Sequence, residues 1–373
     1  MRVMMMLSSI AMGGAEKNVV SVLPYLKQKG VEVCLGTLNT RRDSPLAETF
    51  AKTGVPRFDM GATRMIDTTA WANFRKVLRD QKIDIVHSED QDVNLYATMA
   101  HLRLGMPTVM TRHVMFEPND TLKEKVRAQM ILWAARVGFS RIVAVSEATR
   151  QKFSQQTGVS LAKIKTIYNG IDLEKFNTRH KRDAKRAEMG WTDAQKIIVM
   201  VAVLRRGKGH EVLFEAIPQI LQAVPNAKIK LVGEGELSDP LREQAKPYGD
   251  SVEFLGQRMD VAELLGASDV LVLPSWSEAL PTVLIEAGAA SLPCVATNVG
   301  GTAEIVDDSN TGFVVPAGDS AQLAKRLIDV LHGENQVQNM GKQAYERVNR
   351  LFSFEQQTQA TIALYEDLLR SKT

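Results

Sequence analysis

A chain of 373 residues, 45% apolar and 24% charged, has the make-up of an ordinary soluble globular protein, and its length asks for two hydrophobic cores. No segment is low in complexity or charged in one sign over a long block, so intrinsic disorder is excluded. The net charge of +3 conceals a split: residues 1–178 carry 25 Lys and Arg against 17 Asp and Glu, a balance of +8, whereas residues 179–373 carry 21 against 26, a balance of −5. At the N-terminus MRVMMMLSS is apolar over about six residues, too short for a signal-peptide core or a membrane span, and reads as a first strand. Cys34 and Cys294 each lie inside an apolar run, which fits buried free thiols and a reducing cytoplasm.

From there short apolar runs alternate with longer amphipathic ones, twice over, as parallel sheets built from strand–helix–strand units require. The first half predicts strands near 2–7, 32–37, 85–87, 108–111, 141–145 and 164–167, with helices near 15–29, 68–81, 93–104, 122–136 and 147–156. The stretch 178–191 is charge-dense and shows no apolar face, so a linker is expected at 178–190, between domains 1–177 and 191–350. The second half predicts strands near 196–203, 228–232, 252–255, 270–274, 293–297 and 312–315. Its helices are expected at 211–224, 239–247, 261–266, 282–290 and 320–332. The helix at 211–224 is the clearest, because Val212, Leu213, Ala216, Ile217, Ile220, Leu221 and Val224 recur at the helical period. Two closing helices, 335–350 and 354–371, follow, and residues 351–373 are expected to cross back to the first domain.

Several loops carry chemistry. In SSIAMGGAEKNVV (8–20) Gly13 and Gly14 stand at a strand-to-helix turn, where backbone can approach a ligand and a helix N-terminus adds positive potential. Asp90-Gln91-Asp92 has the spacing of a metal-binding acid pair, but it follows a strand end, where an acceptor-side loop is the better reading. TVMTRHVMF (108–116) ends a strand on His113, and open α/β sheets place ligands at strand C-termini. VAVLRRGKGHEVL (201–213) supplies Arg205, Arg206 and Lys208 ahead of a helix. LVGEGEL (231–237) has Gly233 and Gly235, but Ser238 stands where a dinucleotide fingerprint needs its third glycine. In LVLPSWSEALPTVLIEAG (271–288) Glu278 precedes a helix and Glu286 lies within its early turns. Between them Ala279, Leu280, Pro281 and Thr282 bring amides to that helix N-terminus, a place for phosphate or sugar oxygens. Read alone, Glu278 is an acid at a helix start, worth a few tenths of a kcal/mol.

This last block, with its PSWSEALP lead and its NVGGTAEIV continuation carrying Glu304, resembles the donor-binding block of retaining glycosyltransferase family 4, the glycosyl transferases group 1. The Glu-x7-Glu pair of that family appears here as Glu278 and Glu286, and the resemblance covers essentially the whole chain. It implies an α/β fold of two doubly wound Rossmann-like domains facing a central cleft (GT-B). Lys208 would bind the donor diphosphate; Val203 stands where the family usually has an arginine, so Arg205 would replace it, with Arg206 also on the donor side. Gly14, Gly233, Arg258 and Met259 would line the donor site, with Glu286 on the ribose and Glu278 on the sugar. His113 would stand beside the reaction centre. Gly13, Glu89, Ser146 and Asn169 would lie on the acceptor side, with Gly170 and Asp172 close by and Glu89 replacing a histidine often found there.

The resemblance implies a retaining transferase that moves a sugar from a UDP or GDP donor to a glycan or lipid-linked acceptor in cell-envelope polysaccharide or glycolipid synthesis. No metal or other cofactor is expected, since fixed cations and oriented amides would neutralise the leaving diphosphate. A nucleotide-sugar epimerase, or a transferase acting on a small soluble acceptor, is the alternative. A nucleic-acid-binding protein is disfavoured, because no helix-turn-helix, zinc or aromatic RNA-binding pattern is present. The basic excess of the first half points instead to the acceptor side. Lys123, Lys125 and Arg127, ahead of Met130, Ile131, Leu132 and Trp133, suggest a helix that rests on an anionic inner leaflet, or one whose apolar side is simply core.

Overall fold

The structure is a computed structural model that describes residues 1–11, 13–41, 43–115, 129 and 132–371. The chain divides into two compact units, one formed by Met1–Gly170 with Phe354–Thr373 and the other by Ile171–Ser353.

The first unit holds a seven-stranded parallel sheet. Its strands are β1 (Arg2–Leu7), β2 (Glu32–Thr37), β3 (Arg57–Asp59), β4 (Ile85–Ser88), β5 (Thr108–Arg112), β6 (Arg141–Ala144) and β7 (Ile164–Thr166). They lie side by side in the order β3-β2-β1-β4-β5-β6-β7. The methionine run of β1 is explained by burial on both faces. Val3, Met5 and Leu7 pack into one layer with Leu23, Leu26, Leu364 and Leu368, while Met4 and Met6 pack into the other with Phe74, Tyr96 and Met110. A strand covered on both sides has no polar face to alternate with, so its sequence reads as continuous apolar residues. The final helix, Phe354–Arg370, belongs to this unit: Tyr25 and Phe354 place their rings 5.1 Å apart, and Tyr365 is fully buried.

The second unit repeats the plan with β8 (Lys196–Val201), β9 (Ala227–Val232), β10 (Val252–Gly256), β11 (Val270–Leu273), β12 (Cys294–Thr297) and β13 (Gly312–Val315), in the order β10-β9-β8-β11-β12-β13. The expected amphipathic helix is present as His210–Ala223. Val212, Leu213, Ala216, Ile217 and Ile220 are buried, and Pro218 is accommodated within it.

Three expectations need revision. The segment 178–190 is not an open linker: a short 3-10 turn, Arg179–Lys181, and a helix, Arg182–Glu188, fold onto the second unit. Arg186 is only 2% exposed and donates to the carbonyls of Ala267, Thr192 and Gln195, while Arg179 and Arg182 donate to carbonyls of residues 266–268. These cations therefore cap the C-terminal end of the helix Val261–Ala267, where unpaired carbonyls concentrate negative potential. A guanidinium buried on carbonyls leaves no apolar periodicity to read. The helix Leu46–Ala51 and the edge strand β3 were also missed, being too short to establish a period. Lastly, of the helix expected at 122–136, residues 132–137 are helical, with Ala134 and Ala135 buried and Trp133 53% exposed. Lys123, Lys125, Arg127, Met130 and Ile131 lie outside the described residues.

Candidate functional site

In each sheet the strand order reverses direction at one point, between β1 and β4 in the first unit and between β8 and β11 in the second. Connections on the two sides of such a point run to opposite faces of the sheet. They leave a crevice beyond the strand C-termini, where open α/β sheets bind ligands. The loops singled out by their sequence begin at these strand ends.

In the second unit, β8 runs into the loop 202–209 and β11 into the loop 274–281. Gly209 has φ +73°, and a Cβ there would collide with the carbonyl oxygen of Pro274, so the two loops meet only because residue 209 is glycine. Trp276 fastens them, its backbone N–H donating to the Gly207 carbonyl at 2.9 Å and its indole Nε1 to Glu211 at 2.6 Å. This contact delivers the Lys208 ammonium to Glu278 Oε1 at 2.7 Å, and the Ser275 hydroxyl donates to the same oxygen, also at 2.7 Å. The Lys208 and Glu278 side chains are 18% and 12% exposed. From the other side, Gly300, at φ +52°, lets the NVGG turn seat its backbone on the Glu278 carbonyl, and the Gly301 N–H donates to Ala279 O at 3.1 Å.

The helix Thr282–Ala289 begins immediately after this loop, and no side chain caps its N-terminus. Ala279, Leu280 and Pro281 are buried behind it, and Glu286 stands within the helix, half-buried. Lys208, Glu278 and the N-terminus of this helix thus come together, a fixed cation, a carboxylate and a set of oriented amides able to meet phosphate and hydroxyl groups. Arg205 and Arg206 are exposed on the same loop and have no ion-pair partner among the described residues. Gly233 packs against the Ala202 carbonyl, which accounts for that glycine by close packing. Arg258 is folded onto Asp260, at 2.8 and 2.6 Å, and Asp260 also pairs with Lys185; Met259 beside it is 85% exposed. Of that pair, Met259 is the one open to a ligand.

His210, behind Lys208, is 1% exposed, and neither ring nitrogen has a hydrogen-bond partner. Burial pushes its pKa down to about 4, Glu211 opposing and Lys208 assisting, so the ring is neutral near pH 7. As pH falls below about 6.5 the unfolded chain takes up this proton and the folded one does not, so stability is lost until the folded pKa is reached. Over that span the loss is about 3 kcal/mol, on the order of 1.4 kcal/mol per pKa unit. Urea midpoints measured between pH 7 and pH 4 should therefore fall less for His210→Leu than for the parent chain. Parallel curves would show that His210 is not a source of acid lability.

In the first unit, Gly14 starts the helix Gly14–Gln28 and has open space where a Cβ would stand, while Gly13 precedes it in extended conformation. His113 follows β5, and its Nε2 lies 2.8 Å from Glu89 Oε2, which follows β4. Asn169 lines a pocket together with His113 and Glu89. Ser146 is different: its hydroxyl is the N-cap of the helix Glu147–Thr157 and accepts from the Thr149 N–H at 3.0 Å. Asp172 likewise caps the helix Leu173–Phe176. The Asp90 carboxylate accepts from the backbone N–H groups of Ser8, Asp92 and Val93, so it braces the end of β1 against the helix Asn94–Leu104. His87, Thr111 and Tyr365 join the His113 site unforeseen. Only the strand-end position of VHS hinted at His87, and Tyr365 is more than 250 residues away in sequence.

Both units resemble known proteins. The family model described as Glycosyltransferase Family 4 matches residues 12–175, and the one described as Glycosyl transferases group 1 matches residues 181–347. An N-acetyl-alpha-D-glucosaminyl L-malate synthase of Bacillus anthracis is 34% identical over 56% of the chain, a match that spans 54%, about half, of the relative's own length. A UDP-Gal:alpha-D-GlcNAc-diphosphoundecaprenol alpha-1,3-galactosyltransferase of Escherichia coli is 26% identical over 85% of the chain and 84% of its own. Among solved structures, Anabaena HepE in complex with UDP and glucose superposes with a TM-score of 0.85 at 20% identity. That match covers 98% of this chain and 99% of the other, a likeness of fold.

Proposed function

Since the chain belongs to the family 4, group 1 glycosyltransferases and is a transferase of GT-B fold, we propose that it is a retaining, metal-independent enzyme that moves a sugar from a nucleoside diphosphate to a lipid-linked or glycan acceptor in cell-envelope glycan synthesis. The observation that carries this reading is the meeting of Lys208 and Glu278 ahead of the uncapped N-terminus of Thr282–Ala289. In it, Lys208, Arg205 or Arg206 and the helix amides take the diphosphate, Glu286 the ribose hydroxyls and Glu278 the sugar. His113 stands beside the reacting carbon. The bond from that carbon to the diphosphate oxygen breaks as the acceptor hydroxyl attacks the same face, and the departing phosphate oxygen takes the acceptor proton. Charge developing on that oxygen meets groups already oriented toward it, so little reorganisation is needed. Relatives bear both nucleotides in their names, UDP-Gal in the E. coli transferase and GDP-mannose in a Corynebacterium glutamicum mannosyltransferase; the donor proposed here is UDP-linked, the nucleotide of the relative matched over 85% of the chain.

Among the described residues no helix is long and apolar enough to cross a membrane. A lipid-linked acceptor would then be met at a surface, for which the +8 balance of residues 1–178 is suited.

The test is a thermal-shift screen of UDP, GDP and their sugars. A nucleotide at 100 times its dissociation constant stabilises the fold by about 2.7 kcal/mol. UDP is expected to raise the melting temperature, Glu286→Ala to abolish that shift, and sugar transfer to an undecaprenyl-diphosphate-linked sugar to continue in excess EDTA. A strict requirement for magnesium or manganese, or no response to any nucleotide, would overturn the assignment.

A further inference from the structure

The pocket around His113 is lined by His87, Glu89, Thr111 and Asn169, and the hydrogen bonds among these groups have one consistent direction. Glu89 is 5% exposed. Burial pushes its carboxyl up, but the His87 ring 3.4 Å away and the hydrogen bonds from His113 and Thr111 hold it below the usual range; those hydrogen bonds remain when His87 is neutral, so Glu89 is ionised. An ionised carboxylate only accepts, and the protons on its neighbours follow. His113 Nε2, 2.8 Å from Glu89 Oε2, must carry a proton. The Thr111 hydroxyl must donate to Glu89, which leaves its oxygen to accept from His87 Nε2 at 2.7 Å. Burial pushes the His87 pKa down, against Glu89 and with His113, so that ring is neutral. Its Nδ1 is then an acceptor and takes the Tyr365 O–H at 2.6 Å. Burial first, and the Glu89 charge second, push the Tyr365 phenol well up, so it keeps that proton.

We propose that Glu89 is a positioning residue: it is the common end point of a one-way chain, Tyr365 to His87 to Thr111, and of the His113 ring, and it fixes His113 as the Nε2–H tautomer. In the neutral ring, Nδ1 of His113 is thereby left as an acceptor, suited to a sugar hydroxyl and unsuited to an anionic oxygen. A neutral histidine at position 89 has a single ring nitrogen able to accept, whereas the carboxylate takes the His113 and Thr111 donors together. The proposal rests on the reading of His113 as an active-site group. It adds a role for the final helix, which delivers Tyr365 to the rear of that group.

Long-range proton–nitrogen NMR of the full chain, labelled with 15N at histidine and assigned with His87→Asn and His113→Asn, reports which ring nitrogen is protonated. In the parent protein His113 is expected as Nε2–H. In Glu89→Gln the amide offers one acceptor and competing donors, so His113 should become a mixture of tautomers, and kcat should fall roughly 10- to 100-fold with donor KM changed less than about threefold. Tyr365→Phe should alter the His87 signals and leave the His113 tautomer in place. A proton on Nδ1 of His113 in the parent chain, an unchanged tautomer in Glu89→Gln, or an unchanged kcat in that variant each overturns the proposal. The first of these needs no variant to fold. Failure of the parent chain to turn over any nucleotide sugar would remove the transferase reading while the tautomer result stood, so the two failures are distinguishable.

Discussion

Lys208→Ala is expected to lower sugar transfer roughly 100- to 1,000-fold, the cost of removing one oriented donor from a leaving group that gains charge. Lys208 is held at 2.7 Å from Glu278, which organises the cation and also neutralises it. A diphosphate must therefore compete with Glu278 for the ammonium, and the two residues should respond in opposite ways to nucleotide alone. Lys208→Ala should weaken UDP binding by about 1.5–3 kcal/mol, the usual worth of a hydrogen bond to a charged group. Glu278→Gln removes the competing charge, so UDP should bind at least as well as to the parent chain. Turnover in that variant should nevertheless fall about 10- to 100-fold, because the sugar loses its carboxylate partner. Calorimetric titration with UDP, paired with transfer assays, separates the two effects. Equal loss of UDP affinity in both variants would show that the pair acts as a structural ion pair and not as two arms of a binding site.

Arg186→Met is expected to destabilise the second unit by about 1.5–3 kcal/mol, the range for losing hydrogen bonds made by a buried charged group. The guanidinium is 2% exposed and satisfies the carbonyls of Thr192, Gln195 and Ala267, the last at the C-terminal end of the helix Val261–Ala267. Methionine fills the volume but removes all three guanidinium hydrogen bonds: the Gln195 carbonyl loses its donor, while Thr192 O keeps the Gln195 N–H and Ala267 O keeps Arg182, so the loss is polar and not a cavity. Asp269 is cushioned, because Arg182 and the Ile197 N–H also donate to it. Urea unfolding followed by Trp191 fluorescence reads the change locally, since that indole is buried and the Trp191 backbone N–H donates to the Arg186 carbonyl at 2.8 Å. A midpoint within error of the parent chain would mean that water replaces the guanidinium at no cost.

How much of this was legible beforehand follows from what each residue interacts with. The alternation of apolar runs fixes two parallel-sheet units, because a strand covered on both faces and a helix covered on one leave different periods in the chain. Helix His210–Ala223 and strand β1 could be read from such patterns alone. Glu278, Glu286, Lys208 and His113 stood out for a second reason, since their loops resemble a family motif by motif. Tertiary structure alone decided the rest. That Lys208 touches Glu278, 70 residues away, depends on Gly209 fitting under the Pro274 carbonyl, and that Tyr365 reaches His87 depends on the last helix returning to the first unit. Ser146 and Asp172, attractive in sequence, proved to be helix caps, because a hydroxyl or carboxylate before a helix answers its backbone amides first. The charged stretch at 178–190 looked like solvent-exposed linker for the same reason in reverse: its arginines are buried on carbonyls. Apolar burial writes a period into the local sequence, whereas a polar group is buried by whichever partner the fold brings to it, and that partner is set by contacts distant in the chain.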